Sequence, residues 1–338
     1  MRILVIGATG YIGSRVIPVL LAGGHTIVAG ARNPEALDKF WWSDRVERLQ
    51  LDVLDEASVA AGIDGSFDAL LYLVHGMGGD DFRENDKKAA RHVQTAIDAH
   101  SIPRVVYVSG IIPPVGHDKL SEHLTSRLEV EEILSKSSAS VITLRAALVI
   151  GASSTSFELM GQLTERLPVT VVPDWMRSKV EPIAIVDLCA AIEAAVTIES
   201  KTQHFDIGGG EVLEYPELIE RFAKIAGVTR PQLGTTLLPE KFVAKVASMI
   251  ADVPSSTVQS LVESLQEDMI ARDQRWLDVL LGGAHTPVGL DEGLERSLVP
   301  TDDTADAEQV DPMRRLPGDP EWAVAAQRIP NPGKHASE

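Results

Sequence analysis

A chain of 338 residues, 44% hydrophobic and 24% charged, has apolar material for a sizeable core and room for two domains, or for one large α/β domain with an added lobe. Its 31 Lys and Arg against 49 Asp and Glu give a formal net charge of −18, which disfavours binding to nucleic acid or to an anionic membrane surface. The single cysteine, Cys189, excludes an intramolecular disulfide and any multi-thiolate metal site, and no apolar run reaches the roughly 18 residues of a membrane helix.

The opening MRILVIGATG leads directly into a strand without the pattern of a signal peptide, so a cytoplasmic location is expected. Short Val/Ile/Leu-rich runs follow at Ile3–Ile6, Thr26–Ala29, Val46–Leu51, Ala69–Val74, Val105–Val108 and Val141–Ile150. They lack strict polar alternation, as strands buried on both faces of a parallel sheet do. Helical patterns lie between them at Ile12–Leu21, Asp55–Ala61, Asp80–Ala99 and Ser121–Leu134, with Pro18 inside the first and Gly23-Gly24 ending it. This alternation predicts a doubly wound parallel sheet over residues 1–150.

From Gly151 the rhythm changes. Helices are expected at Ser156–Leu167, Asp187–Val196, Pro216–Ala226, Glu240–Ile250, Ser255–Leu265 and Gln274–Leu281, with strands at Val169–Val172, Val180–Ile185 and His204–Ile207. Residues 151–298 therefore read as a smaller, mainly helical substrate lobe, and the last two strands are candidates to return to the main sheet. Residues 299–338 read as an acidic, Pro-rich tail, extended or partly disordered, in which Trp322 is either a surface residue or a docked anchor.

The strongest chemical signal is RILVIGATGYIGSRV. Gly7, Gly10 and Gly13 form G-x-x-G-x-x-G between a strand and a helix. Glycines there permit a tight turn, close approach of backbone to a pyrophosphate, and close helix–strand packing. The helix N-terminus adds free N–H groups and partial positive charge, and Thr9, Tyr11 and Ile12 complete the loop. A site that favours NAD(H) places Asp or Glu at the end of the second strand to hold the ribose 2′-OH. This chain has VAGARNP there, and the Arg32 guanidinium suits a 2′-phosphate, so NADP(H) is expected in preference to NAD(H). Asp52 and Val53 after the third strand suit the adenine. Val74, His75 and Gly76 after the fourth strand, and Ser109 after the fifth, fall at the carboxyl edge where such sheets bind ligands.

With those pieces in hand, the chain resembles the atypical short-chain dehydrogenases/reductases of the NAD(P)H-binding, NmrA-like group. It is most similar to a subgroup with LVH after the fourth strand and H-x-x-x-R in a later helix. The matching segments are GATGYIG, GARNP, LDVLD, LYLVHGM, VVYVSG, SEHLTSRLEVEEIL, LRAALVIG and EPIAIVDL, which span roughly residues 1–299. The resemblance implies a Rossmann fold, bound NADP(H), a C-terminal substrate lobe and a small-molecule substrate. Conventional members carry a catalytic Y-x-x-x-K, whereas this chain has His123 and Arg127 in HLTSR.

Two residues four apart share a helix face. His123 is a candidate general acid on its ordinary pKa, and Arg127 is a candidate for holding ribose hydroxyls or a phosphate. Arg127 cannot relay a proton by losing one. Ser109 is a candidate for polarising a substrate carbonyl. The expected activity is hydride transfer to or from a small carbonyl, enone or quinone. The alternatives are a non-catalytic NADP(H) sensor and a scaffold or assembly protein, since Tyr and Lys are replaced. Cys189 reads as a packed thiol, Trp41-Trp42 as groove filling or a partner surface, and no His spacing suits a metal.

Overall fold

The computed structural model describes residues 1–76, 81–116, 120–236, 238–301 and 304–324. The chain forms two compact units. One comprises Met1–Ala146, Val186–Ile207 and Arg272–His285, and the other Ala147–Ile185, Gly208–Ala271 and Thr286–Glu338.

The first unit is built as β1 (Arg2–Ile6), α1 (Tyr11–Ala22), β2 (Thr26–Ala31), β3 (Glu47–Gln50), α2 (Glu56–Gly62), β4 (Ala69–Tyr72), α3 (Phe82–His100), β5 (Arg104–Gly110), α4 (Glu122–Leu134) and β6 (Ser140–Ala146). A seventh strand, Gln203–Ile207, pairs in parallel with β6. The seven-stranded sheet then runs Gln203–Ile207, β6, β5, β4, β1, β2, β3, and all its pairings are parallel. It is a Rossmann-like α/β sheet whose strand order reverses between β1 and β4. At such a switch point the loops leave in opposite directions and open a crevice.

The central strands are apolar on both faces because helices cover both. β4 is buried at every position, and β1 at every position after Arg2. One core cluster includes Leu4, Ile6, Leu70, Val93, Ile97 and Val130, so it draws on β1, β4, α3 and α4. Burying a side chain such as Ile97 contributes about 1.5–3 kcal/mol. β3 closes the sheet edge, and Glu47, Arg48 and Gln50 are exposed as edge residues should be. Pro18 lies within α1, which continues past it to Ala22.

The second unit holds the helices Thr155–Arg166, Tyr215–Ile225, Glu240–Ile250, Ser255–Ser264 and Leu290–Leu298. The apolar run 141–150 is not one strand: β6 stops at Ala146, and Val149–Ile150 pairs separately with Ile183–Ala184. The run 180–185 likewise divides, with Lys179–Val180 pairing with Leu213–Glu214 and Ile183–Ala184 with Val149–Ile150. Hydrophobicity alone does not show where a chain leaves one sheet for another pairing. The helix Leu290–Leu298 has no counterpart in the sequence reading, because the buried Gly293 in its middle interrupts the apolar pattern.

The tail from 304 to 324 has no helix or regular strand, yet its end is anchored. Trp322 packs against a cluster that includes Leu159 and Ala247, together with Leu163, Trp175 and Leu261. Gln162 Nε2 donates to the Trp322 carbonyl at 2.7 Å, and the Val324 N–H donates to Glu158 Oε2 at 2.8 Å. Residues 325–338 lie outside the described residues.

Candidate nucleotide and reaction site

The glycine loop follows β1 at the switch point. Gly7 takes φ +98°, a conformation that favours glycine, and the Gly10 N–H closes the turn onto the Gly7 carbonyl at 3.0 Å. A Cβ on Gly13 would lie 2.4 Å from the Gly7 oxygen and 2.9 Å from Ala8 Cα, so only glycine lets α1 pack this closely on the loop. Gly10 is the N-cap of α1 and no side chain caps it. The first turn therefore presents backbone N–H groups without intrahelical acceptors, along with the positive end of the helix dipole. That is a cradle for a diphosphate, and the residues present fit a dinucleotide. A Cβ on Gly7 would lie 3.2 Å from Leu73 Cβ and 3.3 Å from Val74 Cγ2, which places the loop directly against the end of β4. Thr9, Tyr11 and Ile12 are partly buried along it.

Arg32 stands one residue beyond β2. It is exposed, and no hydrogen bond or ion pair engages its guanidinium among the described residues. With Gln50, Asp52, Asp55 and Ser58 it borders a surface groove of about 480 Å³. Asp52 Oδ1 accepts the Leu54 N–H at 3.0 Å, and its own N–H donates to Ser58 Oγ at 3.0 Å. Asp55, not Asp52, caps α2, accepting from the Ala57 N–H at 3.0 Å. Val53 is buried, and its carbonyl meets His92 Nδ1 at 2.9 Å.

The candidate reaction end lies where the β4 loop meets α4. Ser121 caps α4 through the Leu124 N–H, and one turn on, His123 and Arg127 project from the same face. Arg127 Nε donates to His123 Nε2 at 3.0 Å, and Arg127 Nη2 to His75 Nε2 at 2.9 Å. Guanidinium only donates, so both imidazoles accept at Nε2 and, when neutral, carry their proton on Nδ1. The two rings meet edge-on with centroids 5.9 Å apart. Burial first, and the Arg127 charge second, drive the His123 pKa from 6.5 to about 3. Burial, Arg127 and His123 hold His75 well below its ordinary value, against a bond to the Leu73 backbone that raises it. At neutral pH both are neutral imidazoles, so His123 does not have the ordinary pKa on which a general-acid role would draw. Burial also lowers the Arg127 pKa.

Tyr107 and Ser109 alternate onto one face of β5. The Tyr107 hydroxyl donates to the Arg127 carbonyl at 3.4 Å, which fixes that face as the one under α4. Burial raises the Tyr107 pKa, so the phenol stays neutral. Ser109 is 1% exposed and close enough to Tyr107 to lower its pKa, yet among the described residues its Oγ makes no hydrogen bond of normal geometry. A Cβ on neighbouring Gly110 would lie 3.3 Å from Arg127 Cδ, so the guanidinium stem crosses the end of β5.

Asp86 is a site residue that sequence reasoning missed. It is 6% exposed, and its Oδ1 accepts the Gly76 N–H at 2.6 Å while Oδ2 accepts from Ser126 Oγ at 2.8 Å. One carboxylate thus ties the β4 loop, α3 and α4 together and holds His75 beside Arg127. Burial raises its pKa, and both hydrogen bonds and Arg127 work against that rise. Its only local signal is an Asp on a helix of mixed charge, which looks like any solvated position.

Other candidates separate from the site. Cys189 is buried, and burial pushes its thiol to about 12. Trp42 is 1% exposed, stacks on Phe40 at 4.9 Å and donates from Nε1 to the Ser14 carbonyl, so it fills space beside α1. Among the described residues no group of three or more His, Cys, Asp or Glu is placed to hold a metal, and no helix is long and apolar enough to cross a membrane.

Sheet order, glycine cradle and switch-point loops define a Rossmann-type NAD(P)H-binding domain. Residues 7–170 match the family model described as NAD(P)H-binding. The fold matches that of a triphenylmethane reductase from Citrobacter sp. complexed with NADP(H), at TM-score 0.68 and 17% identity over 88% of this chain and 100% of that one. An NADPH-dependent quinone oxidoreductase from Escherichia coli complexed with NADPH matches at TM-score 0.66 and 20% identity, over 87% and 98% of the two chains. UDP-glucose 4-epimerase from Bifidobacterium longum, with NAD+ and UDP, matches at TM-score 0.64 and 17% identity, over 87% and 96%. Among curated proteins, a fatty acid hydroxylase of Mycosarcoma maydis is 29% identical over 75 residues, 22% of this chain and only a quarter (25%) of that protein.

Proposed function

We propose that the chain is an NADP(H)-dependent oxidoreductase of the atypical short-chain type, in the subgroup with LVH and H-x-x-x-R motifs. It would act on a small carbonyl, enone or quinone in the cytoplasm. When bound, NADP(H) supplies or accepts a hydride. The α1 N-terminus and the Gly7, Thr9, Gly10, Tyr11, Ile12 and Gly13 backbone hold the diphosphate. Arg32 takes the 2′-phosphate and so favours NADP(H), while Asp52 and Val53 hold the adenine. Val74, His75 and Gly76 line the passage to the reacting end, where Ser109, His123 and Arg127 meet the ribose and substrate. His123 acts there as a neutral imidazole that positions Arg127, with Ser109 orienting a substrate oxygen.

The observation that carries this reading is the uncapped glycine cradle lying directly against the β4 loop, whose His75 bonds the Arg127–His123 pair. The test is NADPH oxidation against aldehydes, ketones, enones and quinones, with His123→Phe alongside. The variant should keep NADPH binding and lose about tenfold or more in turnover, because Arg127 loses the imidazole that orients it at the reacting end. Unchanged turnover removes His123 from the mechanism.

One observation favours a second reading, a non-catalytic sensor or scaffold: neither imidazole titrates in the neutral range. A sensor must bind NADPH and NADP+ with different affinities, because equal binding shifts no equilibrium. Tight NADPH binding, no turnover across the panel and unequal dissociation constants would establish it.

A further inference from the structure

We propose that Arg127 holds the oxyanion formed on the substrate oxygen, and that the site therefore takes conjugated acceptors, enones and quinones, in preference to simple ketones and aldehydes. This rests on the oxidoreductase reading above. Arg127 is a half-buried cation whose side-chain partners among the described residues are two imidazoles, His75 at 2.9 Å and His123 at 3.0 Å. No carboxylate among the described residues lies within ion-pair distance of it. The nearest acidic neighbour that acts on it, Asp86, has both oxygens engaged by the Gly76 N–H and Ser126 Oγ. A partly buried charge whose counter-charge acts only from a distance is costly, and arginine cannot escape by neutralising. Two neutral acceptors orient the guanidinium without cancelling its charge. The balance is left for a ligand anion.

A second observation lies on the same face of β5. Among the described residues the buried Ser109 hydroxyl has the Tyr107 phenol nearby but no hydrogen bond of normal geometry, and it lies beside the end of β5 that the Arg127 stem crosses. A buried hydroxyl left unsatisfied costs about 1–3 kcal/mol, which an incoming oxygen would relieve.

The described residues of the site thus offer a fixed positive charge and a hydroxyl, and both of their imidazoles are held neutral near neutral pH. Hydride from NADPH adds to one carbon of an enone or quinone, the π pair moves to oxygen, NADP+ remains, and the enolate or hydroquinone anion takes its proton from water. Delocalisation makes that anion stable enough to leave without a dedicated acid. A saturated ketone would give a localised alkoxide, far more basic, which needs a proton donor in the transition state.

The test uses 4-nitrophenol as a phenolate probe, titrated by absorbance in the full-length protein saturated with NADP+. Bound probe should ionise at least about one pH unit, or tenfold in acidity, below free probe, as an opposite charge within contact distance produces. Arg127→Gln should lose most of that shift, and Arg127→Lys should keep part. The nicotinamide charge is common to all three proteins, so the comparison isolates residue 127. An unshifted probe, an equal shift in Arg127→Gln, or no phenolate binding once NADP+ is present would overturn the proposal. The last result would mean that the cofactor phosphates satisfy Arg127. Turnover is read separately: saturated ketones reduced as fast as enones would overturn the acceptor preference and leave the oxidoreductase reading intact. No NADPH oxidation with any acceptor would strike that reading, while the phenolate titration still decides the charge site.

Discussion

Lowering the pH should destabilise this protein through His123, and the magnitude follows from its environment. Its pKa is 6.5 in an unfolded chain and about 3 in the folded one, where burial and the Arg127 charge oppose protonation. Above pH 6.5 both states are neutral at this position and it has no effect. Below 6.5 the unfolded chain binds a proton that the folded protein refuses, so stability falls by about 1.4 kcal/mol per pH unit until about pH 3. Between pH 6.5 and 5 that amounts to about 2 kcal/mol, a sizeable part of a typical domain's stability. His75 acts in the same direction, being held well below its ordinary value by burial. The perturbation is His123→Phe, which removes the titrating group and keeps a ring of similar volume. Urea unfolding of the cofactor-free protein, followed by circular dichroism at pH 8, 7, 6 and 5, is the assay. Whatever its stability at pH 8, the variant should lose about 2 kcal/mol less than the parent between pH 6.5 and pH 5. Parallel stability curves for the two proteins would refute the argument, because they would mean that His123 protonates normally in the folded state.

The glycine cradle separates packing from binding. Gly13→Ala should destabilise the cofactor-free protein by about 1–3 kcal/mol, since the new Cβ meets backbone at 2.4 Å, whereas Gly10→Ala meets its nearest atom only at 3.3 Å and should cost little. In Gly10→Ala the loss should appear instead as weaker NADPH binding by fluorescence titration, and equal stability losses in both variants would count against this geometry. Arg32→Ala should weaken NADPH by about 1.5–3 kcal/mol and leave NADH nearly unchanged, as a charged hydrogen bond to a 2′-phosphate requires; equal weakening of both cofactors would remove Arg32 from that role. Asp86→Asn should leave the α1 cradle intact but loosen the β4 loop, seen as faster exchange of the Gly76 amide that Asp86 now binds at 2.6 Å. Trp322→Ala should destabilise the second unit by about 2–4 kcal/mol, because the indole packs against the cluster that includes Leu159, Ala247 and Val258.

What the sequence carried, and what it did not, divides along a physical line. Gly7, Gly10 and Gly13 were legible because their spacing reports a local backbone constraint, and the structure shows that constraint as a 2.4 Å approach at Gly13. The shared face of His123 and Arg127 was legible from helical periodicity alone. Their chemistry was not. The bond that joins Arg127 to His75 spans 52 residues, and the burial that lowers both histidines is a property of the assembled α3, α4 and β4 loop. Asp86 was missed for the same reason, since nothing near it in sequence distinguishes a buried clamp from a solvated carboxylate. The runs 141–150 and 180–185 were rightly apolar but wrongly continuous, because composition reports burial and not which strand a segment pairs with. The docking of Trp322 likewise depends on Gln162 and Glu158, more than 150 residues away.

The most direct test of hydride transfer is an isotope experiment. The protein is incubated with NADPH deuterated at nicotinamide C4, each face in turn, and with an enone or quinone acceptor, and the product is analysed by mass spectrometry and NMR. The account predicts oxidation of NADPH and transfer of deuterium from one face only, to the β-carbon of the enone, or with matching loss of the label from NADPH for the quinone. Tight NADPH binding with no label leaving either face, across the acceptor panel, would contradict it.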